Sequence, residues 1–345
     1  MVHGRKGLSQ HPLVIRCLCF GILFLAGIGS GTVAWLELQI TNPYWGKPHK
    51  NRLISIEYGS SVRQIGTLLD KVDIIQSNFA FTLYVQLSGF DHLQAGEYLF
   101  ENPLKLTEVV TKLKNGQVHH HRITIPEGLM MEDIIDRFVQ EGFGKRSKLE
   151  TLTGRTDLLG ILDPQAINLE GYLFPDTYFF ARSDQELTLV STLVSRFKQI
   201  WNQDREERAR ALDLTTREVI TLASLIEKET ALPSERPLVS AVFHNRLRKK
   251  IKLACDPTVI FAIRKIKEYD GIIHRSDLTL DSPYNTYLYL GLPPGPIASP
   301  GIASIDAALN PAPVNHLYFV SKNDGSHVFS DHYQDHQQAV WRYQR

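Results

Sequence analysis

Cysteine is scarce in this sequence of 345 residues, and its scarcity excludes one common source of stability. Cys17 and Cys19 lie in an apolar stretch near the N-terminus, and Cys255 is the single cysteine in the rest of the chain. One thiol cannot form an intramolecular disulfide, so the remainder of the chain must be stabilised by a packed core. A chain of this length can bury such a core, and it has room for roughly two or three domains.

An excess of either charge is also missing. The 38 basic residues are balanced by 37 acidic residues, and the formal net charge is +1. Nucleic-acid-binding domains usually concentrate a basic excess on one face, so nucleic acid is not an expected partner. The 13 histidines follow no HExxH or paired-cysteine pattern, and we therefore predict neither a metal site nor another cofactor.

Charged residues are absent from Cys17 to Leu36, a stretch of about twenty residues that can cross roughly 30 Å of membrane hydrocarbon as a helix. Three basic residues and no acidic residue precede it, which favours a cytoplasmic N-terminus. A cleaved signal peptide is the alternative, but the apolar stretch exceeds the usual ~7–15 residues of such a peptide. We predict a single-pass membrane protein with residues 1–16 in the cytoplasm, residues 17–36 in the membrane, and a large body outside.

The body is predicted to contain two domains after a polar connector over residues 37–50. Apolar residues at strand and helix spacing predict a strand, two helices, a strand and a short helix, at 53–57, 62–69, 78–87, 98–100 and 106–113. This order predicts a small βααβ subdomain over residues 51–118. A larger mixed α/β domain is predicted over residues 119–345, in a fold of the α+β class.

The stretch LASLIEKET ends an apolar helix with two acidic residues. The helix is predicted to begin at a capping box, Thr215 with Glu218, and to end near Thr230, because the proline that follows cannot continue it. Glu227 and Glu229 are two positions apart, about 200° around the helix axis. The two carboxylates therefore cannot enter the same pocket.

The two glutamates are expected to have different surroundings. We expect Glu229, beside Lys228, to lie on the surface. Glu227 follows two small residues at i−4 and i−3 that leave space above its carboxylate, and a buried carboxylate is costly unless it is paired or used. Two interpretations stay open for Glu227. It forms a structural ion pair with Arg236 or Arg246, or it is a functional acid whose pKa is raised by apolar surroundings.

Several stretches of the body are together similar to the motifs of one family, in the same order: LEGYLFPDTY, LASLIEKET, ERPLVSAVFHNRL, DPTVIF, YNTY…GLPPGPIASPG and LYFVSKNDGSHVFS. Over roughly residues 50–343 the chain resembles the MltG/YceG family of bacterial endolytic murein transglycosylases. The predicted membrane helix fits this family, and residues 51–118 resemble its LysM-like subdomain. One departure is that Ala254 and Cys255 stand where the family usually has Gln followed by Ser or Thr.

The resemblance implies an activity and a site. The enzyme would cleave the MurNAc–GlcNAc bond within nascent glycan strands of peptidoglycan, give 1,6-anhydro-MurNAc ends without a cofactor, and so terminate glycan elongation. The implied protein partners are peptidoglycan synthases of the elongation or division machinery, and the implied location is the bacterial inner membrane. Carried over by motif, the catalytic acid is Glu227. The implied substrate-binding residues are Asn245, Arg246, Asp256, Thr258, Tyr284, Asn285 and Tyr287.

Two other functions stay open. The first is a non-catalytic peptidoglycan-binding or division scaffold protein, and the second is a hydrolase that uses Asp256 as a second carboxylate. Some of the site residues also have structural interpretations. Asp256 before Pro257 is a common helix cap and first-turn pair. Asn245 with Arg246 can equally form a buried network that braces a helix.

Overall fold

The structure, a computed structural model, describes residues 30–46, 51–90 and 92–344. The chain divides into two compact units. The first unit extends to His120 and also includes Ala181–Ser183. The second unit consists of His121–Phe180 and the chain from Asp184 onward. Helices and small antiparallel strand pairs make up both units, which confirms the α+β class.

The first unit contains the predicted strand, two helices, strand and short helix. Its elements are α1 (residues 30–41), β1 (Arg52–Ile56), α2 (Val62–Lys71), α3 (Asn78–Leu87), β2 (Gly96–Phe100) and α4 (Leu106–Lys114). Strands β1 and β2 pair antiparallel. Ser61 closes a capping box at the start of α2, and Ser77 caps α3, because a serine oxygen can accept the unpaired N–H groups of the first turn. Leu69, Phe81 and Tyr98 are fully buried in its core.

Most of the predicted membrane segment, residues 17–36, lies outside the described residues. Helix α1 contains its last part. Within the three ranges that the structure describes, no helix combines the length and the apolarity that crossing a membrane requires.

The second unit is mainly helical. Its elements are β3 (His121–Thr124), α5 (Met131–Gln140), α6 (Arg146–Leu152), β4 (Thr177–Phe180), α7 (Glu186–Ile200), α8 (Gln203–Ala211), α9 (Thr216–Glu229), α10 (Arg236–Arg248), α11 (Asp256–Arg264), α12 (Ile302–Leu309), β5 (Tyr318–Ser321), β6 (His327–Ser330) and α13 (Tyr333–Tyr343). Strand β3 pairs antiparallel with β4, and β5 pairs antiparallel with β6.

Helix α9 is the centre of the second unit. The predicted capping box of Thr215 and Glu218 starts it, and the eight residues Val219–Ile226 are all buried. Helices α8, α10, α11 and α12 all pack against α9. A mainly apolar sequence is expected over these eight residues, since no face of this part of the helix meets water.

Two of the sequence motifs meet beside α9. Gly171, in LEGYLFPDTY, has a φ of +82°, and a Cβ there would lie 2.4 Å from the Cβ of Pro296, in GLPPGPIASPG. Glycine is required because both the left-handed backbone and the close approach exclude a side chain. The loop that contains Pro296 is fixed to the helix, since the Ile297 N–H donates to Ser224 Oγ at 3.1 Å. It is also fixed to the loop before α5, since the Gly128 N–H donates to the Ser299 carbonyl at 2.8 Å.

Candidate active site

The two glutamates at the end of α9 face different groups, as the helix geometry predicted. Glu227 accepts a hydrogen bond at Oε2 from the Gly301 N–H at 3.0 Å. Its Oε1 lies 3.6 Å from Arg236 Nη2, and only 8% of its side chain is exposed. The structure therefore shows the ion pair with Arg236 that was one of the two interpretations of Glu227.

A second carboxylate lies beside this pair. A Cβ on Gly301 would come 2.0 Å from Cδ of Glu127, so Glu127 shares the space around Gly301 with Glu227. Burial raises the pKa of Glu127, and the nearby Glu227 raises it further, while Arg236 lowers it. None of the motifs quoted above contains Glu127, and no role was predicted for it.

Glu229 does not lie on the surface, and that expectation was wrong. Its side chain is partly buried and lies close enough to Cys255, just before α11, for each group to affect the pKa of the other. Burial raises the pKa of Glu229 to about 7, and the charge of Asp256 adds to the increase. Cys255, His327 and Arg246 act in the opposite direction. A carboxyl with a pKa near 7 can act as a general acid and a general base at neutral pH.

Three of the seven predicted substrate-binding residues lie around Glu229. Arg246 and Asp256 are close enough to shift its pKa, and Glu229 in turn raises the pKa of Tyr287. The Tyr287 hydroxyl donates to Asp256 Oδ1. Burial and this hydrogen bond raise the pKa of Tyr287, which therefore stays a donor at neutral pH.

Arg246 is fixed by backbone oxygens rather than by a carboxylate. Its Nε donates to the Leu317 carbonyl and its Nη1 to the Leu253 carbonyl, both at 2.7 Å. The guanidinium also lies over the Tyr318 ring, 5.4 Å from the ring centroid. These contacts hold a positive charge near Glu229.

The other four predicted residues have structural contacts. Asn245 donates to the Val314 and His316 carbonyls, Thr258 Oγ1 donates to the Cys255 carbonyl, and Asn285 donates to the Leu278 and Leu280 carbonyls. These three side chains are buried. Tyr284 packs on Phe261 with the ring centroids 4.6 Å apart. The bracing network that was the alternative for Asn245 is therefore present, and substrate binding by these four residues stays a prediction.

Asp256 is not a helix cap. Cys255 is the N-cap residue of α11, and Asp256 with Pro257 forms its first turn. The turn before the helix is tight, since Ala254 has a φ of +44° and its N–H donates to the Thr286 carbonyl at 3.1 Å. This turn places the Cys255 side chain against Glu229. The departure from the family motif at Cys255 therefore lies in contact with an acidic group.

A hydrogen-bonded pair near Glu229 was missed in the sequence. Glu235 accepts from the His327 N–H at 2.8 Å and contacts His327 Nδ1 at 2.7 Å. Both residues lie in motifs quoted above, since Glu235 begins ERPLVSAVFHNRL and His327 lies in LYFVSKNDGSHVFS. Nothing in the sequence, however, indicates that two residues so far apart form a pair. In the described part of the chain, no three His, Cys, Asp or Glu side chains are grouped as metal ligands would be.

Comparison with known proteins gives a consistent result. A sequence model of the YceG-like family matches residues 54–342. The "Endolytic murein transglycosylase" of Bacillus subtilis strain 168 is 34% identical over 305 residues, which is 84% of each chain. The protein of the same name from Streptococcus pneumoniae strain D39 is 27% identical, over 92% of this chain and 63% of its own length. A crystal structure of a YceG-like protein from Listeria monocytogenes superimposes with a TM-score of 0.57 at 28% identity, covering 84% of this chain and 98% of that one.

The raised pKa of Glu229 predicts a pH dependence of stability. The folded protein keeps a proton on this group up to a pH of about 7, whereas the unfolded chain releases it above its ordinary pKa of about 4.3. Stability from this group is therefore complete below pH ~4.3 and is lost as the pH rises to ~7, by roughly 3–4 kcal/mol. Glu229→Gln removes this loss.

Urea unfolding at pH 5 and pH 8 measures it. The free energy of unfolding of Glu229→Gln should fall less between the two pH values than that of the wild type. Glu170→Gln is a positive control, because burial also raises the pKa of the buried Glu170 to about 7. Equal slopes for the wild type and Glu229→Gln would contradict the raised pKa of Glu229.

Proposed function

The chain belongs to the YceG-like family, and we propose on this basis that it is an endolytic murein transglycosylase, a lyase that cleaves the MurNAc–GlcNAc bond within peptidoglycan strands. The curated relatives of that name support the reaction. The observation that supports the site assignment is that Glu229, partly buried at the end of α9, lies close enough to Arg246, Asp256 and Tyr287 to interact with them electrostatically.

The proposed reaction needs one acid and no water. Protonated Glu229 gives its proton to the glycosidic oxygen, and the bond between that oxygen and C1 of MurNAc breaks. The 2-acetamido carbonyl of the sugar stabilises the positive charge that develops at C1. The Glu229 carboxylate then takes the proton of the C6 hydroxyl, and O6 bonds to C1. The product is a 1,6-anhydro-MurNAc end, and Glu229 is protonated again.

Glu229 is a better candidate for this acid than Glu227. The Gly301 N–H and Arg236 already face both oxygens of Glu227, which leaves a substrate oxygen little access to them. The partners of Glu229 are the predicted cleft residues. Glu227 as the acid stays a prediction from the motif, and its proposed role here is to hold α9 to the start of α12 and to α10.

Asp256 favours the hydrolase as the second candidate function. It is close enough to Glu229 to raise the pKa of that group, and glycoside hydrolases use two nearby carboxyl groups. In a hydrolase, Asp256 would activate water or form a covalent intermediate. In the structure, however, one oxygen of Asp256 already accepts a hydrogen bond from the Tyr287 hydroxyl.

The products of digestion distinguish the reactions. The purified protein is incubated with peptidoglycan in water enriched in ¹⁸O, and the fragments are weighed by mass spectrometry. A transglycosylase gives 1,6-anhydro ends without ¹⁸O, because O6 and not water attacks C1. Incorporation of ¹⁸O at new reducing ends would identify a hydrolase. The absence of any cleavage would favour the non-catalytic scaffold protein.

The same assay separates the two glutamates. Glu229→Gln should lower the turnover rate by roughly 10²–10⁴-fold with the fold intact, because an amide cannot donate and reclaim the proton. Glu227→Gln is the matched control on the same helix turn and should keep turnover within about tenfold of wild type, since general acid catalysis accounts for the larger loss. The reverse result, with circular dichroism unchanged, would assign the acid to Glu227.

The first unit is proposed to be a LysM-like subdomain that holds glycan strands. A cleft of about 1060 Å³ lies between the loop that joins β1 to α2 and the segment that leads into β2. Tyr58 at its edge is 98% exposed, and an exposed aromatic ring can pack on the apolar face of a sugar. Serine and carboxylate oxygens of Ser55, Ser60, Ser61 and Glu57 line the same cleft.

Binding to isolated peptidoglycan tests this cleft. Tyr58→Ala should lower the fraction of protein that sediments with insoluble peptidoglycan by roughly fivefold, which corresponds to about 1 kcal/mol. Tyr333→Ala is the control, because Tyr333 is also exposed but lies at the start of α13. Equal sedimentation of the Tyr58 variant and the control would argue against glycan binding in the cleft.

Residues 17–36 are proposed to anchor the protein in the bacterial inner membrane, with the body outside the cytoplasm, where it meets strands that peptidoglycan synthases release. The support is the uncharged length of this segment and the basic residues before it. N-terminal sequencing of the protein from the membrane fraction should begin at Met1. A mature protein that begins near Trp35 would show a cleaved signal peptide instead.

A further inference from the structure

The carboxylate of Glu127 occupies the space that a side chain on Gly301 would fill. A Cβ on Gly301 would lie 2.0 Å from both Cδ and Oε1 of Glu127. The backbone of Gly301, with a φ of −75° and a ψ of 168°, is an extended conformation that any residue adopts. The glycine that ends GLPPGPIASPG is therefore needed for space and not for backbone freedom, and the group that takes this space is a carboxylate.

The backbone next to Glu127 is fixed on two sides. The Gly128 N–H donates to the Ser299 carbonyl at 2.8 Å, and Lys228 Nζ donates to the Gly128 carbonyl at 3.1 Å. A Cβ on Gly128 would lie 3.6 Å from Cγ of Glu227. The segment that contains Glu127 is thus held against the GLPPGPIASPG loop and against the last turn of α9.

Glu127 and Glu227 lie on two sides of Gly301. Glu227 Oε2 accepts from the Gly301 N–H at 3.0 Å, and the Glu127 carboxylate lies where the Gly301 side chain would be. Gly301 is the N-cap residue of α12, so both carboxylates are close to the positive end of that helix. Two carboxylates around one residue repel each other, and a nearby positive charge is needed to hold both in place.

Arg236 supplies this positive charge. Its Nη2 lies 3.6 Å from Glu227 Oε1, which is longer than the ~2.7–2.9 Å of a hydrogen-bonded ion pair. Only 11% of the arginine side chain is exposed, and its Nε has no hydrogen-bond partner among the described residues. Arg236 also lowers the pKa of Glu127. The guanidinium is therefore not committed to a bidentate pair with Glu227, and it lies close enough to act on Glu127.

We propose that Glu127 is a positioning residue for Glu227. Its carboxylate, held in the space beside Gly301, shares Arg236 with Glu227 and so keeps Glu227 on the Gly301 N–H instead of in a closed pair with the arginine. Glu127 is exposed and only 8% of the Glu227 side chain is, so Glu127 forms the solvent side of this cluster. The inference concerns Glu227 both as the acid that the motif predicts and as the anchor of α9 proposed above.

The effect of Glu127 on turnover rests on the proposed function, but the shared arginine does not. A double-mutant cycle in stability tests the arginine without any cleavage. Glu127→Gln and Glu227→Gln each leave Arg236 with one carboxylate, whereas the double variant leaves a buried positive charge with none, which is costly. The unfolding equilibrium constant of the double variant at neutral pH should exceed the value that the two single effects predict by roughly tenfold.

Glu132→Gln is the matched control for this cycle. Glu132 is an exposed glutamate in the first turn of α5, shortly after Glu127 in the chain. Its combination with Glu227→Gln should be additive. If the double variant of Glu127 and Glu227 does not fold, the milder Glu127→Asp replaces Glu127→Gln in the cycle. Additive effects of the Glu127 and Glu227 substitutions would overturn the proposal.

Gly301→Ala tests the position of the Glu127 carboxylate without removing its charge. The added methyl group takes the space of the carboxylate, which is the end of a flexible side chain and can turn away while the fold stays intact. In the digestion assay, Gly301→Ala and Glu127→Gln should each lower kcat severalfold, as small misplacements do, with KM nearly unchanged. Neither should cost more than Glu227→Gln, because a positioning residue acts only through the group that it positions.

Glu127→Ala supplies the background that separates position from other effects of the methyl group. It empties the space beside Gly301, so Gly301→Ala should cause no further loss of kcat there. The same loss in both backgrounds would mean that the alanine acts on another group, and it would overturn the positioning role. Wild-type kcat in Gly301→Ala and Glu127→Gln, alongside a loss in Glu227→Gln, would do so as well. A protein that digests nothing would contradict the proposed function, and the stability cycle would still decide whether Glu127 shares Arg236.

Discussion

Helix α9 is buried along eight consecutive residues, and this burial constrains the rest of the second unit. A helix needs partners for the polar groups at both of its ends, because its first N–H and last C=O groups have none within the helix. At the start, Thr215 and Glu218 supply a capping box. At the end, the carboxylates of Glu227 and Glu229 lie in two directions and must each be satisfied by different elements. The elements that surround the end of α9 are therefore arranged around two acidic groups.

The two carboxylates are surrounded by different groups. Glu227 accepts a hydrogen bond from a backbone N–H and faces an arginine. Glu229 has a thiol, a carboxylate and an arginine as neighbours. These groups compensate its negative charge poorly, and its pKa is therefore near neutrality. The same helix turn thus holds two carboxylates in different surroundings. The difference comes from the neighbours, since the residue type and the burial of the helix are the same.

The sequence predicted the helices of the body and the α+β class because these depend on local spacing and capping. The divergence of Glu227 and Glu229 was also predictable, since it follows from the geometry of one helix. The groups that surround each glutamate were not predictable. Those groups depend on the turn at Ala254, on the loop around Pro296 and on the position of β6, which are all distant from α9 in the chain. Glu229 was expected on the surface because it follows Lys228, which is exposed. Helix α11, however, covers the side of α9 on which Glu229 lies.

The burial of Glu229 also bears on how the catalyst completes a cycle. In the proposed reaction the carboxyl lends a proton to one sugar oxygen and recovers a proton from another oxygen of the same substrate. The carboxyl therefore regains its proton from the substrate, and it needs no proton from the solvent before the next strand is cut. A group whose two charge states are nearly equal in free energy makes both transfers without a large uphill step. A hydrolase must admit water at each turnover, whereas a catalyst whose substrate supplies its own nucleophile needs no path for water to the reacting carbon.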